Sequence, residues 1–146
     1  SALKNRQAEL AEEFQRYVPM AVKVAPDLTL EEVQQLSECF SRVGIDAVIA
    51  TNTTLSREAV AGLAHADEAG GLSGKPVFAK STEIVRQFRQ ALPADMPIIA
   101  AGGIMSAEDA MQKLEAGAQL IQIYSGLIYQ GPKLIQDIVK TIQKRR

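Results

Sequence analysis

A chain of 146 residues, 47% hydrophobic and 23% charged, has the composition of one soluble globular domain and enough length to bury a sizeable core. Sixteen basic against seventeen acidic residues leave a net charge of −1 and no electrostatic footprint for nucleic acid, while a single cysteine, Cys39, excludes an intrachain disulfide and fits a reducing compartment. No apolar run approaches the roughly 18 residues that span a bilayer, and no signal peptide is visible.

The chain does not begin with Met and starts inside a helical pattern, which raises the expectation of a piece of a longer protein. Leu3, Leu10, Phe14 and Tyr17 recur at helical spacing, predicting an amphipathic helix over 3–17 that Pro19 ends. Met20–Ala25 (MAVKVA) reads as a strand with Ala21, Lys23 and Ala25 on one face and Val22 and Val24 on the other. Thr29 with Glu32 forms a capping box for a helix whose stripe is Leu30, Val33, Leu36, Phe40 and Val43 and whose end is Gly44. Ala47–Thr51 is the second strand.

From Thr51 to Lys80 periodicity is weak over about thirty residues, with one helical turn in Arg57–Leu63; connections of that length tend to be functional. Ser81 is expected to cap a helix carrying Ile84, Val85, Phe88 and Leu92. Ile98–Ala101 is an apolar run of the kind buried on both faces of a parallel sheet. Gly102-Gly103 follows, then Ser106 and Asp109 as a capping box, a helix closing at Gly117, the strand Leu120–Ile123, and the small-residue turn Tyr124-Ser125-Gly126. Pro132 starts a last helix with Leu134, Ile135, Ile138, Val139 and Ile142 inside, and Lys140, Lys144, Arg145 and Arg146 crowd its C-terminal end. A weak internal repeat relates Gly44–Ile49 to Gly117–Gln122, each a helix-ending glycine leading into a strand.

A leading helix and four strand–helix units make a single α/β domain over 1–146 with a parallel sheet, either an open sheet or half of an eight-fold barrel. In both, ligands bind at the carboxyl ends of the strands. Gly102-Gly103 and Tyr124-Ser125-Gly126 occur together on successive strand ends and leave backbone N–H groups unobstructed, which favours a phosphate group over mere turn packing. No GxGxxG dinucleotide fingerprint accompanies them. Lys23 lies mid-strand among apolar neighbours: it is either a barrel-mouth lysine with a solvated tip or a functional one, stabilising an anion or forming a Schiff base. Thr51-Asn52-Thr53-Thr54 and Gly70-Gly71-Leu72-Ser73-Gly74 read as turn chemistry or as ligand contacts. His65, beside Asp67 and Glu68, reads as a solvated loop histidine, Cys39 as a space-filler, and neither a metal-ligand cluster nor a Ser–His–Asp constellation is present.

At VKVAPDL (22–28), IATNTT (49–54), GGLSGKP (70–76), IAAGGI (99–104) and IYSGLIYQGP (123–132), the chain resembles dihydroorotate dehydrogenase, in particular the class 2, quinone-dependent branch. The resemblance runs from about Leu3 to the C-terminus and covers the C-terminal half of that family's (β/α)8 TIM barrel. It implies FMN as cofactor, held by Lys23, Thr51, Gly74, Gly103, Tyr124 and Ser125, with Lys23 stabilising electron-rich reduced flavin and Gly103, Tyr124 and Ser125 holding the phosphate. Asn52 and Thr53 would hydrogen-bond the pyrimidine, as dihydroorotate is oxidised to orotate for UMP biosynthesis and electrons pass to a membrane quinone.

The same resemblance places the catalytic serine base and the quinone-binding arm in the family's N-terminal half, so no catalytic base is expected among these residues. Ser73 and Ser125 belong to the flavin-side motifs. The family would sit peripherally on the cytoplasmic side of the cell membrane. The expectations are therefore an FMN-anchoring half-barrel inactive alone, with two alternatives: another phosphate-binding barrel using Lys23 as a Schiff base, or a non-catalytic half-barrel. A half-barrel leaves two sheet edges and an apolar inner face uncovered, which predicts self-association.

Overall fold

Four short parallel strands, β1 (Ala21–Val24), β2 (Ala47–Ala50), β3 (Ile98–Ala101) and β4 (Leu120–Gln122), pair in chain order β1-β2-β3-β4 in a computed structural model that describes residues 2–145. That order decides between the two architectures left open by the sequence. A doubly wound sheet reverses its strand order at a switch point and places helices on both faces. Here each strand lies beside its predecessor, in the register Lys23 to Ile49, Ile49 to Ile99, and Ile99 to Leu120. The helices α2 (Leu30–Val43), α3 (Phe78–Ala91) and α4 (Ala107–Glu115) follow β1, β2 and β3 in turn. This is the arrangement of half of a (β/α)8 barrel.

Register also sorts the two sheet faces. Val24, Val48, Ala50, Ile98 and Ala100 share the face that packs on Val33 and Phe40 of α2 and on Ile84, Val85 and Phe88 of α3, and all of these are buried. The Phe40 and Phe88 rings stack at 6.4 Å between centroids, knitting α2 to α3 over the sheet. The opposite face carries Lys23, Ile49, Ile99, Leu120 and Gln122; Lys23 and Gln122 are exposed, and Leu120 is 58% exposed. A smaller core joins Ile104 and Ala110 to Leu134 and Ile138 of α6 (Lys133–Lys144).

Local chemistry explains most boundaries. Thr29 accepts from the Glu32 N–H while the Glu32 carboxylate accepts from the Thr29 N–H, and α2 ends at Gly44 with φ +72°. Three helix starts depart from expectation. Helix α3 begins at Phe78, after the 3₁₀ turn Lys75–Val77, so Ser81 is not its cap but a buried residue within it. At α4, Ser106 caps Asp109, but the Asp109 carboxylate accepts from the Met105 N–H rather than the Ser106 N–H, so the box is half formed. A short helix, α5 (Ser125–Gln130), occupies a stretch read as a turn, because Ser125-Gly126 allows the chain to coil directly off β4. In α6, Ile135 and Val139 are exposed, correcting the wider stripe expected there.

Helix α1 (Ala2–Glu13) stops short of the predicted Tyr17, and its expected apolar stripe is open: Leu3 is 68% and Phe14 66% exposed. Polar bonds hold it instead. Gln7 Nε2 donates to the Val18 carbonyl at 2.7 Å, and the Asp46 carboxylate accepts from the Met20 N–H at 2.7 Å, the Tyr17 hydroxyl at 2.5 Å and Gln7 Nε2 at 3.3 Å. The Met20 N–H and then the Tyr17 hydroxyl hold the Asp46 carboxyl below its ordinary value, so this contribution is present above about pH 4 and is lost as pH falls through the lowered pKa. Asp46→Ala is therefore expected to cost about 2 kcal/mol in urea unfolding at pH 7, and to raise amide exchange in α1 while leaving β2 and β3 protected. An equal loss of protection in β3 would contradict this assignment.

Candidate functional site

The carboxyl ends of the four strands open onto one cavity of about 280 Å³. All eight residues singled out by the sequence line it: Lys23 from β1, Thr51, Asn52 and Thr53 after β2, Gly74 from the long connection, Gly103 after β3, and Tyr124 and Ser125 after β4. Gly102, Ser73, Ile104 and Gln122 complete much of the wall. Near 300 Å³ is the lower end of ligand pockets, as expected where only one side of a barrel is present to enclose the space.

At one end stands Lys23. Its neighbours across the sheet are apolar, and among the described residues it has neither an ion-pair partner nor a side-chain hydrogen bond. An ammonium placed on a sheet face without a carboxylate is poised for an anionic or electron-rich ligand. Beside it, Thr51 is buried: its N–H donates to the Ala101 carbonyl at 2.8 Å and its hydroxyl donates to the Asn52 carbonyl at 2.9 Å. The Asn52 N–H donates to the Val24 carbonyl at 2.7 Å, and its side-chain oxygen accepts from the Thr53 N–H at 2.9 Å. These bonds fix the turn while leaving the Asn52 amide nitrogen free to donate.

The other end is built from glycine turns. Gly103 has φ +74°, and a Cβ there would lie 2.5 Å from Cα of Phe78, so the β3–α4 turn runs directly against the first residue of α3. Gly126 is similarly tight: a Cβ would collide with the Ile104 carbonyl oxygen. Among the described residues, no protein acceptor takes the backbone N–H groups of Gly103, Tyr124 or Ser125. Three unclaimed donors at one end of a cavity, with backbone approach kept open by glycine, suit a tetrahedral oxyanion. The Ser125 hydroxyl donates to Ser73 Oγ at 3.2 Å, tying the long connection to this end. Tyr124 is 80% exposed at the rim of the cavity.

The long connection is less free than its composition suggests. An antiparallel bridge joins Thr54 to Leu72, and Arg57 donates to the Glu68 and Gly70 carbonyls at 2.9 and 2.5 Å. Asp27 anchors its start, accepting from the Thr54 hydroxyl at 2.6 Å, the Leu55 N–H at 2.9 Å and Lys80 Nζ at 2.7 Å. Burial pushes the Asp27 carboxyl up, but Lys80 and these donors outweigh it and hold it below the usual carboxylate value. His65 stays in this loop, exposed and 2.7 Å from Glu68, while Cys39 is half-buried on α2, outside the cavity. Among the described residues no group of three metal-ligating side chains occurs, and no helix is long and apolar enough to cross a membrane.

Sequence reasoning missed three participants. Gln122 follows from alternation along β4, which puts it on the Lys23 face. Asp27 follows Pro26 just beyond β1, where a turn is its ordinary role, and its partners Thr54, Leu55 and Lys80 are distant in sequence. Lys113 was hidden in a helix whose stripe of small residues was not assigned; it is fully buried behind the Gly102-Gly103 turn.

The family model described as dihydroorotate dehydrogenase matches residues 1–145. The chain is 56% identical over 139 residues to the dihydroorotate dehydrogenase (quinone) of Shewanella pealeana, covering 95% of this chain and 41% of that protein. It is 54% identical over 144 residues to that of Shewanella sediminis, covering 99% and 42%. Among solved structures, Eimeria tenella dihydroorotate dehydrogenase in complex with ferulenol superposes with a TM-score of 0.78 at 34% identity, over 86% of this chain and 34% of that one. The chain thus spans about two fifths of the length of the relatives it matches.

The Gly103 contact gives a stability test. Gly103→Ala meets both the left-handed backbone and the Phe78 main chain, and is expected to cost about 3 kcal/mol. Gly44→Ala, in the left-handed conformation at φ +72° and ψ +46° with only the Lys4 tail at 4.0 Å, meets the backbone strain alone and should cost about 1 kcal/mol. Chemical unfolding of the two variants side by side measures the difference, and equal costs would show that Phe78 yields.

Proposed function

Because the chain belongs to the dihydroorotate dehydrogenase family, we propose that its cavity holds FMN together with dihydroorotate, as the FMN-anchoring part of a quinone-reducing dihydroorotate dehydrogenase of pyrimidine biosynthesis. The observation that carries this reading is the polarity of the cavity: an unpartnered ammonium at one end and, at the other, three backbone N–H groups unclaimed among the described residues on the turns after β3 and β4. A ligand with a phosphate at one end and a ring that becomes electron-rich at the other fits both. FMN, when bound, supplies acceptance of a hydride and onward transfer of electrons.

In this reading Gly103, Tyr124 and Ser125 bind the phosphate through their N–H groups, which are already oriented by the turn and lose little freedom on binding. Lys23 places positive charge beside the ring, favouring its reduced state. Thr51 and Gly74 present backbone to the ring's edge. Asn52 and Thr53 donate to the pyrimidine, and the bond between Asn52 Oδ1 and the Thr53 N–H keeps the two in register. Among the described residues the cavity wall has no carboxylate, histidine or cysteine, and its two serines bond to each other. The proton acceptor, the quinone site and peripheral attachment to the membrane are assigned to the portion of the relatives' length that these residues do not cover. A Schiff-base reading for Lys23 has only the unpartnered amine in its favour.

The test uses FMN titrated into the 146-residue chain, read by flavin fluorescence and visible absorbance. Binding is expected, weakened about tenfold by Lys23→Ala, the scale of one lost charge-assisted contact. Dihydroorotate-dependent dye reduction by this chain alone is expected to be absent. Absence of FMN binding would overturn the cofactor assignment, and turnover would overturn the assignment of the base. The uncovered inner face and the unpaired outer edges of β1 and β4 further predict self-association, so a strictly monomeric sedimentation profile at high concentration would count against a half-barrel that must cover them.

A further inference from the structure

Behind the glycine turn lies a buried amine that the proposed chemistry does not use. Lys113 of α4 is fully inaccessible, and its Nζ donates to Ser81 Oγ at 2.5 Å and to the Phe78 carbonyl at 3.2 Å. It also stands 4.7 Å from the centroid of the Phe78 ring. The Ser81 hydroxyl in turn lies within donating distance of both the Phe78 carbonyl at 3.0 Å and the Gly102 carbonyl at 3.1 Å, and Phe78 is the residue that a Cβ on Gly103 would strike. Lys113 therefore touches both supports of the Gly102-Gly103 turn.

No carboxylate bonds to it. Asp109, one helical turn earlier, is committed to Lys75 at 2.8 Å and to the Met105 N–H at 2.9 Å, and Lys75 lies 4.6 Å from the same Phe78 ring. Arg86 of α3 adds a like charge nearby. Burial accordingly pushes the Lys113 amine down to about 7, Asp109 opposing and Arg86 reinforcing the shift. A lysine buried at such cost without a direct carboxylate partner needs another negative group to favour its charged form.

We propose that Lys113 is a positioning residue of the phosphate cradle: it holds the Gly102-Gly103 turn through Ser81 and Phe78, and its protonation is linked to occupancy of the cradle by a phosphate. The inference rests on the FMN reading above and deepens it. A dianion arriving at Gly103 favours the ammonium, and the ammonium favours the dianion, because linkage is reciprocal. The sign follows. Above pH 7 the amine of the unliganded chain is largely neutral and the phosphate group, with a second pKa near 6, is already a dianion, so binding takes up a proton and affinity falls as pH rises. The other charged groups around Lys113 stay paired in both states, Asp109 with Lys75 at 2.8 Å and Arg86 with Glu83 at 3.1 Å.

The test compares FMN with riboflavin, which shares the ring and lacks the phosphate, at about pH 7 and about pH 9, using wild type, Lys113→Met and Lys113→Arg. Wild-type affinity for FMN is expected to fall about tenfold or more between the two pH values, while riboflavin affinity stays level. Lys113→Met should bind FMN weakly with no pH slope, and Lys113→Arg, permanently charged, should bind FMN without a slope. Should Lys113→Met fail to fold, Lys113→Arg against wild type still reads the slope. A pH-independent wild type, a slope that survives in Lys113→Arg, or a Lys113→Met that loses FMN and riboflavin equally would overturn the inference. A wild type that binds riboflavin as tightly as FMN, or neither, would instead remove the phosphate reading and this inference with it.

Discussion

The contact on which the site depends is the approach of the β3–α4 turn to the first turn of α3. Gly102 and Gly103 pass so close to Phe78 and Ser81 that no side chain fits between them. That closeness fixes where β3 ends relative to α3, and therefore where the unclaimed N–H of Gly103 sits. It also explains why α3 starts without a side-chain cap. The cap position is buried against the turn and holds Val77, which has no side-chain acceptor to offer, behind a 3₁₀ turn with Pro76 in its first turn. The orphan donors of a helix start have been traded for a wall packed against backbone.

Two faces of one sheet divide the labour. The helix face is close-packed by Val33, Phe40, Val85, Phe88 and Ile98, all at or near zero exposure, and this burial is what makes the sheet a rigid platform. The inner face is only partly covered and carries Lys23 and Gln122 beside Ile49, Ile99 and Leu120. A lysine on such a face is tolerable because its tip remains wet. The same feature makes it available to a ligand. Structure and site therefore do not compete for the same side chains, and the strand residues that stabilise the fold alternate with those that face the cavity.

How much of this was legible in the chain follows from the range of each interaction. Elements held by local rules could be read: the Thr29–Glu32 box, the αL glycine at Gly44, the alternation around Lys23, and the glycines at two successive strand ends. Choosing the barrel over the open sheet required the order of the strands, which no local pattern encodes. The errors fall where a distant partner overrides a local signal. Ser81 has the chemistry of a cap, but Gly102 and Lys113 recruit its hydroxyl into the interior. Leu3 and Phe14 have the spacing of a buried stripe, but the chain beside α1 offers the Asp46 carboxylate and the Val18 carbonyl to Gln7 instead of an apolar groove. The eight site residues come together because they lie in four neighbouring strands or in the connections that follow them, and strand ends converge in any parallel barrel; their grouping is a consequence of topology more than of sequence proximity.

Lys113 shows why composition cannot reveal such a group. On a helical wheel it falls in line with Ala110 and Gly117, a stripe of small residues that would ordinarily signal close helix–sheet packing and exclude a long charged side chain. Its head finds partners because Phe78 has turned a carbonyl and a ring toward it at the uncapped start of α3, with Ser81 Oγ beside them. The two anomalies account for each other. A helix that began with a conventional cap would lack the arrangement around Phe78, and a buried amine without that arrangement would lack acceptors for its N–H groups. The unusual start of α3 and the unusual lysine of α4 are thus one feature, placed directly behind the turn whose free N–H groups face the cavity.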